Sequence, residues 1–164
     1  MKARIIGTAA GLVLAAVLLF SWKVPASGST LGAEAAFTAT PPGELTASPA
    51  GSFLRARELR PGGSSQSAEV EVRNISPKAM DVRVRLLPAG PDLDRGLHVK
   101  IRAGDRRLAA GMLARLRGPS PAVRIGPGRP RKLRFSLSVP KGAGEHSEGR
   151  MTDVTVDLRA RAAR

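Results

Sequence analysis

The feature that most constrains the fold of this chain is a repeated alternation of apolar and polar residues. Five stretches show it clearly: Ala68–Arg73, Val82–Leu86, Leu97–Arg102, Leu133–Val139 and Val154–Arg159. An apolar residue at every second position is the period of a strand with one buried face. Strands of a parallel α/β sheet are buried on both faces and lack this pattern. The alternation therefore predicts an all-β protein.

Turns rich in proline, glycine and asparagine separate these stretches. The first two stretches flank Asn74–Pro77, and we expect them to pair as an antiparallel hairpin. Weaker strand patterns are present at Phe37–Thr40, Glu44–Ser48, Phe53–Arg57 and Ala122–Ile125. Short strands at this spacing predict a two-sheet antiparallel β-sandwich of the jelly-roll or Ig-like type.

One segment departs from the period of a strand. Leu108, Met112, Leu113 and Leu116 recur at the spacing of one helix face, so the pattern predicts a short helix over Arg107–Arg117.

The N-terminus has the pattern of an export segment. Lys2 and Arg4 precede an apolar run from Ile5 to Phe20, and small residues follow. We therefore predict three parts: a signal peptide or membrane anchor over residues 1–27, a tether over residues 28–36, and the sandwich over residues 37–164. The first part is expected to form a hydrophobic helix. The sequence leaves open whether the leader is cleaved or stays in the membrane through residues 5–22, because the run is close to a spanning length. Either way, we expect an exported protein, extracellular or at the cell surface.

The composition is strongly basic, with 27 lysines and arginines against 13 acidic residues and a net charge of +14. Such a surface attracts anionic partners. Nucleic-acid interfaces combine basic residues with stacking aromatic ones, and this chain has no tyrosine, one tryptophan and four phenylalanines, so no nucleic-acid partner is expected. The absence of cysteine excludes disulfides and thiolate metal sites.

The alternation also predicts which basic side chains point outward from the strands. If these strands share one sheet, the side chains would form a cationic face for an anionic cell-envelope polymer. The alternative is a generally basic surface without a specific ligand. The residues predicted to form this face are Arg83, Arg85, Lys100, Arg102, Arg134 and Arg159.

The order of several motifs resembles the TasA/camelysin-like secreted β-sandwich proteins of Gram-positive bacteria, and we expect an actinobacterial member. The resemblance spans about residues 35–160 by motif order. One departure is Gly63, which stands where the family has an acidic residue. The motifs are Ala35–Thr40, Glu58–Ser64, Val70–Ser76 with Ala79–Val82, Ile125–Gly128, and Gly149–Val156.

The resemblance implies two functional associations. One is assembly of an extracellular, biofilm-type matrix or fibre, in which an N-terminal segment adds a strand to a neighbouring copy. Phe37, Ala39 and Leu45 would belong to that donor segment, although a loosely packed strand of a monomer is an equal alternative. The other association is the zinc-peptidase activity attached to camelysins.

Candidate metal ligands are few and poorly spaced. His98 and His146 are far apart and lack the H-E-x-x-H pattern of a zinc peptidase. Asp92 and Asp94, with Asp105, supply too few carboxylates for calcium, so we interpret them as a solvated turn. We therefore expect no metal site, no cofactor and no enzymatic activity.

The sequence as a whole predicts a non-catalytic exported protein with a structural or interaction role. The alternatives are a cationic module that binds an envelope polymer, a camelysin-like metallopeptidase, or an envelope hydrolase with an unrecognised site.

Overall fold

The computed structural model describes residues 32–89 and 93–164, and for residues 144–146 the backbone alone. The predicted leader over residues 1–27 lies outside the described residues, and so does Asp92. The strands in the described part of the chain are β1 (Ala33–Thr40), β2 (Leu45–Ser48), β3 (Gly51–Leu59), β4 (Gln66–Asn74), β5 (Met80–Pro88), β6 (His98–Ala103), β7 (Arg106–Met112), β8 (Val123–Ile125), β9 (Pro130–Ser138) and β10 (Met151–Ala162). Two short 3₁₀ helices are Leu113–Arg115 and Lys141–His146.

The strands form two five-stranded sheets, which confirms the predicted all-β, two-sheet fold. Sheet A has the order β3-β1-β10-β5-β8, and sheet B has the order β2-β4-β9-β6-β7. Neighbouring strands are antiparallel except for β1 and β10, which run parallel. The first described strand thus lies in the interior of sheet A.

The core lies between the sheets and is filled by the apolar side of each alternating strand. Three phenylalanines connect the two layers: Phe37 and Phe53 from sheet A, and Phe135 from sheet B. The ring centroid of Phe135 lies 4.9 Å from that of Phe53 and 6.2 Å from that of Phe37. Tilted ring pairs at these distances add to the energy of apolar burial.

The predicted hairpin between the two central stretches is wrong. β4 pairs with β2 and β9 in sheet B, whereas β5 pairs with β10 and β8 in sheet A. The turn that follows Asn74 carries the chain from one sheet to the other. Both strands bury one face whichever sheet they join, so alternation alone does not distinguish a hairpin from a crossing between layers.

The predicted helix over Arg107–Arg117 is also wrong for most of its length. Residues Arg106–Met112 form β7, which pairs with β6, and only Leu113–Arg115 turn as a 3₁₀ helix. β7 is an edge strand whose side chains are mostly half-buried or exposed, so its burial does not alternate cleanly. The helical spacing of Leu108, Met112, Leu113 and Leu116 therefore arises from a strand followed by a 3₁₀ turn.

The sandwich begins earlier than the predicted start at Phe37. β1 starts at Ala33, and Ala33 and Ala35 are as deeply buried as Phe37. The end of the predicted tether, residues 33–36, is therefore part of sheet A.

Candidate functional site

The structure divides the predicted cationic face between the two outer surfaces of the sandwich. Arg83 and Arg85 on β5, with Arg159 on β10, belong to sheet A. The other three residues belong to sheet B: Lys100 and Arg102 on β6, and Arg134 on β9. The six residues thus form two separate groups rather than one face.

On sheet A, the basic residues converge on a groove of about 560 Å³. We call it the arginine groove. Its charged residues come from β5, β8, β10 and the segment after β10: Asp81, Arg83, Arg124, Arg159, Arg161 and Arg164. Five guanidinium groups therefore surround one carboxylate.

The strand pairing explains why these side chains meet. Arg83 and Arg159 are directly opposite each other on β5 and β10. Asp81 stands opposite Arg161 on one side and Arg124 on the other. Residues that face each other across neighbouring strands have Cβ atoms about 5 Å apart, so the arginine side chains share one small area.

Only part of this positive charge is neutralised. Arg124 Nε lies 3.2 Å from Asp81 Oδ1, and Arg159 Nε lies 2.8 Å from Asp157 Oδ2. Within the described residues, the guanidinium groups of Arg83, Arg161 and Arg164 have no hydrogen bond or ion pair. These three groups are exposed and available to an anion.

On sheet B, two of the three predicted residues, Arg102 and Arg134, have partners within the protein, whereas Lys100 has none among the described residues. Arg134 Nη2 lies 2.5 Å from Glu69 Oε1, and Lys132 Nζ lies 3.8 Å from Glu69 Oε2. The hydrogen bond from Arg134 holds the pKa of Glu69 below its ordinary value, and the positive charges of Arg134 and Lys132 act in the same direction. The guanidinium of Arg102 donates to the backbone oxygen of Asp105 at 2.7 Å.

Three arginines of the groove were not among the six residues predicted to form the cationic face: Arg124, Arg161 and Arg164. Arg124 stands between the buried Val123 and Ile125, so the alternation in that short stretch already implied an outward side chain. No pattern in the sequence showed that β8 and the end of the chain lie beside β5 and β10. That placement is set by long-range strand pairing.

The predicted donor residues are also divided between the sheets. Phe37 and Ala39 lie on β1, where β3 and β10 flank them, and both side chains are buried. Leu45 is buried on β2, an edge strand of sheet B. The donor segment is therefore packed into the sandwich of its own chain.

The candidate metal ligands are dispersed. His98 is half-buried on β6, Asp105 lies in the turn before β7, and the side chain of His146 is outside the described part. Asp94 is buried, and its Oδ2 accepts a hydrogen bond from Arg117 at 2.7 Å. Among the described residues, no three histidines or acidic residues form a group that could hold a metal ion. The helices in that same part of the chain are too short to cross a bilayer.

The chain was compared with known proteins. No model of a protein family matches it, and neither does any curated protein. Among solved structures, it is similar to the N-terminal domain of PorA, with 12% identity over 77% of this chain and 88% of that one. The TM-score of that match is 0.31, too low to support any conclusion about fold or function.

Proposed function

We propose that this protein is a non-catalytic, exported interaction protein that self-associates by exchanging β1 between copies. The observation that carries the proposal is the position of β1, the first strand of the described residues, which is held between β3 and β10. The basic and apolar leader supports export.

The gap between β3 and β10 that holds β1 would offer the same contacts to the β1 strand of a neighbouring copy. Without β1, the facing edges of β3 and β10 would carry unpaired backbone groups along its whole length. The apolar side chains that β1 buries are Ala33, Ala35, Phe37 and Ala39. A β1 strand from a second copy has the same residues, so it would restore the hydrogen bonds and the burial without any new contact.

The connection after β1 favours this exchange. Pro41-Pro42-Gly43-Glu44 leads from β1 in sheet A to β2 in sheet B. Consecutive prolines favour an extended backbone, because each proline restricts the residue before it. In the structure a turn closes the connection, with the amide of Leu45 donating to the oxygen of Pro42 at 2.9 Å. Opening this turn would leave an extended hinge that directs β1 towards another copy.

Two single-cysteine variants test the proposal in residues 28–164, which contain every described strand. Thr38 on β1 and Thr155 on β10 are in register and exposed, and the chain has no native cysteine. Neighbouring strands lie about 4.8 Å apart, a spacing that a disulfide can bridge. Thr38→Cys and Thr155→Cys proteins are mixed under reducing conditions, incubated and then oxidised.

Exchange predicts a disulfide-linked heterodimer whose yield rises with protein concentration and incubation time. The control mixes Thr38→Cys with Lys132→Cys, because Lys132 is exposed on β9 in the other sheet. Equal yields in the two mixtures would mean random surface oxidation and would contradict the proposal.

A further inference from the structure

We propose that the arginine groove is a binding site for a linear polymer that bears phosphate groups. This inference goes beyond self-association and does not depend on it, because the groove lies over β5, β8 and β10, whereas the exchange concerns β1. The site would add a second kind of partner to the protein.

In the arginine groove, like charges lie opposite each other on neighbouring strands. Arg83 and Arg159 face each other across neighbouring strands. Like charges in directly opposite positions destabilise a sheet. Asp157 and Asp81 relieve the repulsion only partly, because each bonds one arginine and leaves Arg83 and Arg161 unpaired within the described residues. A bound anion would remove the remaining repulsion.

The hydrogen-bond donors of the groove share one chemistry that suits phosphate. All five cations in the groove are arginines. A guanidinium group presents a planar fork of N–H donors that fits phosphate oxygens in pairs. Because phosphate oxygens are arranged tetrahedrally, one phosphate can accept hydrogen bonds from two guanidinium groups on different strands. Arg83 and Arg159, opposite each other on β5 and β10, would bind one phosphate unit, and Arg161 and Arg164, which line the same groove, are available to other units.

The concave shape of the groove favours a polymer chain over a membrane surface as its ligand. Pro119 and Ala122 border the groove, so the arginines lie in a concavity rather than on a flat face. In the described residues, the exposed large apolar side chains are Ile75, Leu87 and Met151, and none of them borders the groove. A bilayer contact normally combines basic residues with inserted apolar ones.

The surroundings also argue against nucleic acid. Phe37 and Phe135 are buried in the core, and Phe53 is half-buried against them. Among the described residues no aromatic side chain lines the groove, so nucleotide bases would have no stacking platform there. A polyol or sugar phosphate needs no such platform.

Binding of long-chain inorganic polyphosphate to residues 28–164, measured by calorimetry at low and moderate salt, tests the proposal. The groove variant is Arg83→Gln/Arg159→Gln/Arg161→Gln. The control variant, Lys100→Gln/Arg102→Gln/Lys132→Gln, removes three positive charges from the outer face of sheet B. Its net charge therefore equals that of the groove variant. Thermal unfolding of all three proteins verifies that each variant is folded.

We expect the groove variant to bind polyphosphate at least about tenfold more weakly than the wild type, since three charge-assisted contacts are lost. The control variant should stay within about threefold of the wild type, because it changes only the general field of the protein. Wild-type affinity should fall as salt rises. Equal losses in the two variants, or no binding by the wild type at low salt, would overturn the proposal.

Further ligands determine the class of partner. Polyglutamate should bind more weakly than polyphosphate of equal charge, and inorganic phosphate alone should bind much more weakly than the polymer. If single-stranded oligonucleotides or anionic lipid vesicles bind more tightly than polyphosphate and lose affinity in the groove variant, the partner belongs to that other class and the proposal is wrong.

Discussion

Asn74 is the residue on which the crossing between the two sheets depends. Its side chain is buried and makes four hydrogen bonds: Nδ2 donates to the backbone oxygens of Lys78 and Ile125 at 2.7 and 3.0 Å, and Oδ1 accepts from the amide and hydroxyl of Ser76 at 2.9 and 2.8 Å. One amide side chain thus fixes the turn after β4 and binds it to the end of β8.

We predict that Asn74→Ala lowers the free energy of unfolding by about 2–4 kcal/mol, because the buried backbone oxygen of Ile125 loses its donor and Ser76 loses its acceptor. Denaturant unfolding measures the change. The matched control is Ile75→Ala, since the Ile75 side chain is 56% exposed and should contribute within about 0.5 kcal/mol. A loss at Asn74 no larger than that at Ile75 would contradict this role.

The Glu69–Arg134 pair gives a prediction for pH. A carboxylate whose pKa is lower in the folded state stabilises the protein at pH values above its unfolded pKa, and that contribution is lost as pH falls through the folded value. The hydrogen bond from Arg134 lowers the pKa of Glu69, so the pair should contribute near neutral pH and not in strong acid. Because Glu69 is exposed, the contribution should be small.

A double-mutant cycle with Glu69→Gln and Arg134→Gln measures this coupling by thermal unfolding. We expect a positive coupling near pH 7 that disappears near pH 2, where the carboxylate is protonated. A coupling that is unchanged in acid would mean that packing, rather than charge, joins the two side chains.

At the scale of the element, β1 is central because it completes sheet A. Its Phe37 ring is fully buried and lies 6.4 Å from Phe53 and 6.2 Å from Phe135, so one side chain links two strands of sheet A to sheet B. The outward neighbour Thr38 takes no part in that core.

Phe37→Ala should therefore lower the free energy of unfolding by about 3–5 kcal/mol, through lost burial and the cavity left between the sheets. Thr38→Ala, one residue along the same strand, should change it by less than about 1 kcal/mol. Chemical denaturation of both variants provides the comparison. Similar small losses would show that β1 packs more loosely than its contacts indicate.

The strands differ in how far the sequence could predict them. β6, β9 and β10 alternate strictly because each has one face in the core and one in solvent, and their positions were predicted within a few residues. β7 was predicted as a helix, because an edge strand buries few side chains and loses its period. The apolar–polar alternation is therefore clearer in strands with a neighbour on both sides than in the edge strand β7.

The sequence patterns did not predict which strands pair with each other. The alternation predicted that Arg83 and Arg159 point outward, but whether they meet depends on which strands are neighbours and in what register. The same limit applies to Asn74, which was interpreted as part of a turn. Its contact with Ile125 joins residues 51 positions apart and is not encoded in any local pattern.

At the scale of the whole molecule, the two outer faces of the sandwich differ in how their basic residues are paired. On sheet B, Arg134 and Lys132 pair with Glu69, whereas on sheet A, within the described residues, Arg83, Arg161 and Arg164 are left unpaired in the groove. The exchange of β1 leaves that groove intact, because β5, β8 and β10 all come from one copy. An assembly joined through β1 would thus present one arginine groove per copy along its length, and repeated sites of this kind increase avidity for a polymer.

The measurement that tests self-association most directly is light scattering after size exclusion on residues 28–164 that carry both Thr38→Cys and Thr155→Cys. When this double-cysteine protein is oxidised as a dilute monomer, the disulfide fixes β1 in its own sheet. Reduction of the disulfide releases β1. We predict that the oxidised protein stays monomeric at every concentration, whereas the reduced protein and the wild type form larger species as concentration rises. Assembly of the oxidised protein, or a wild type that is monomeric throughout, would contradict exchange of β1.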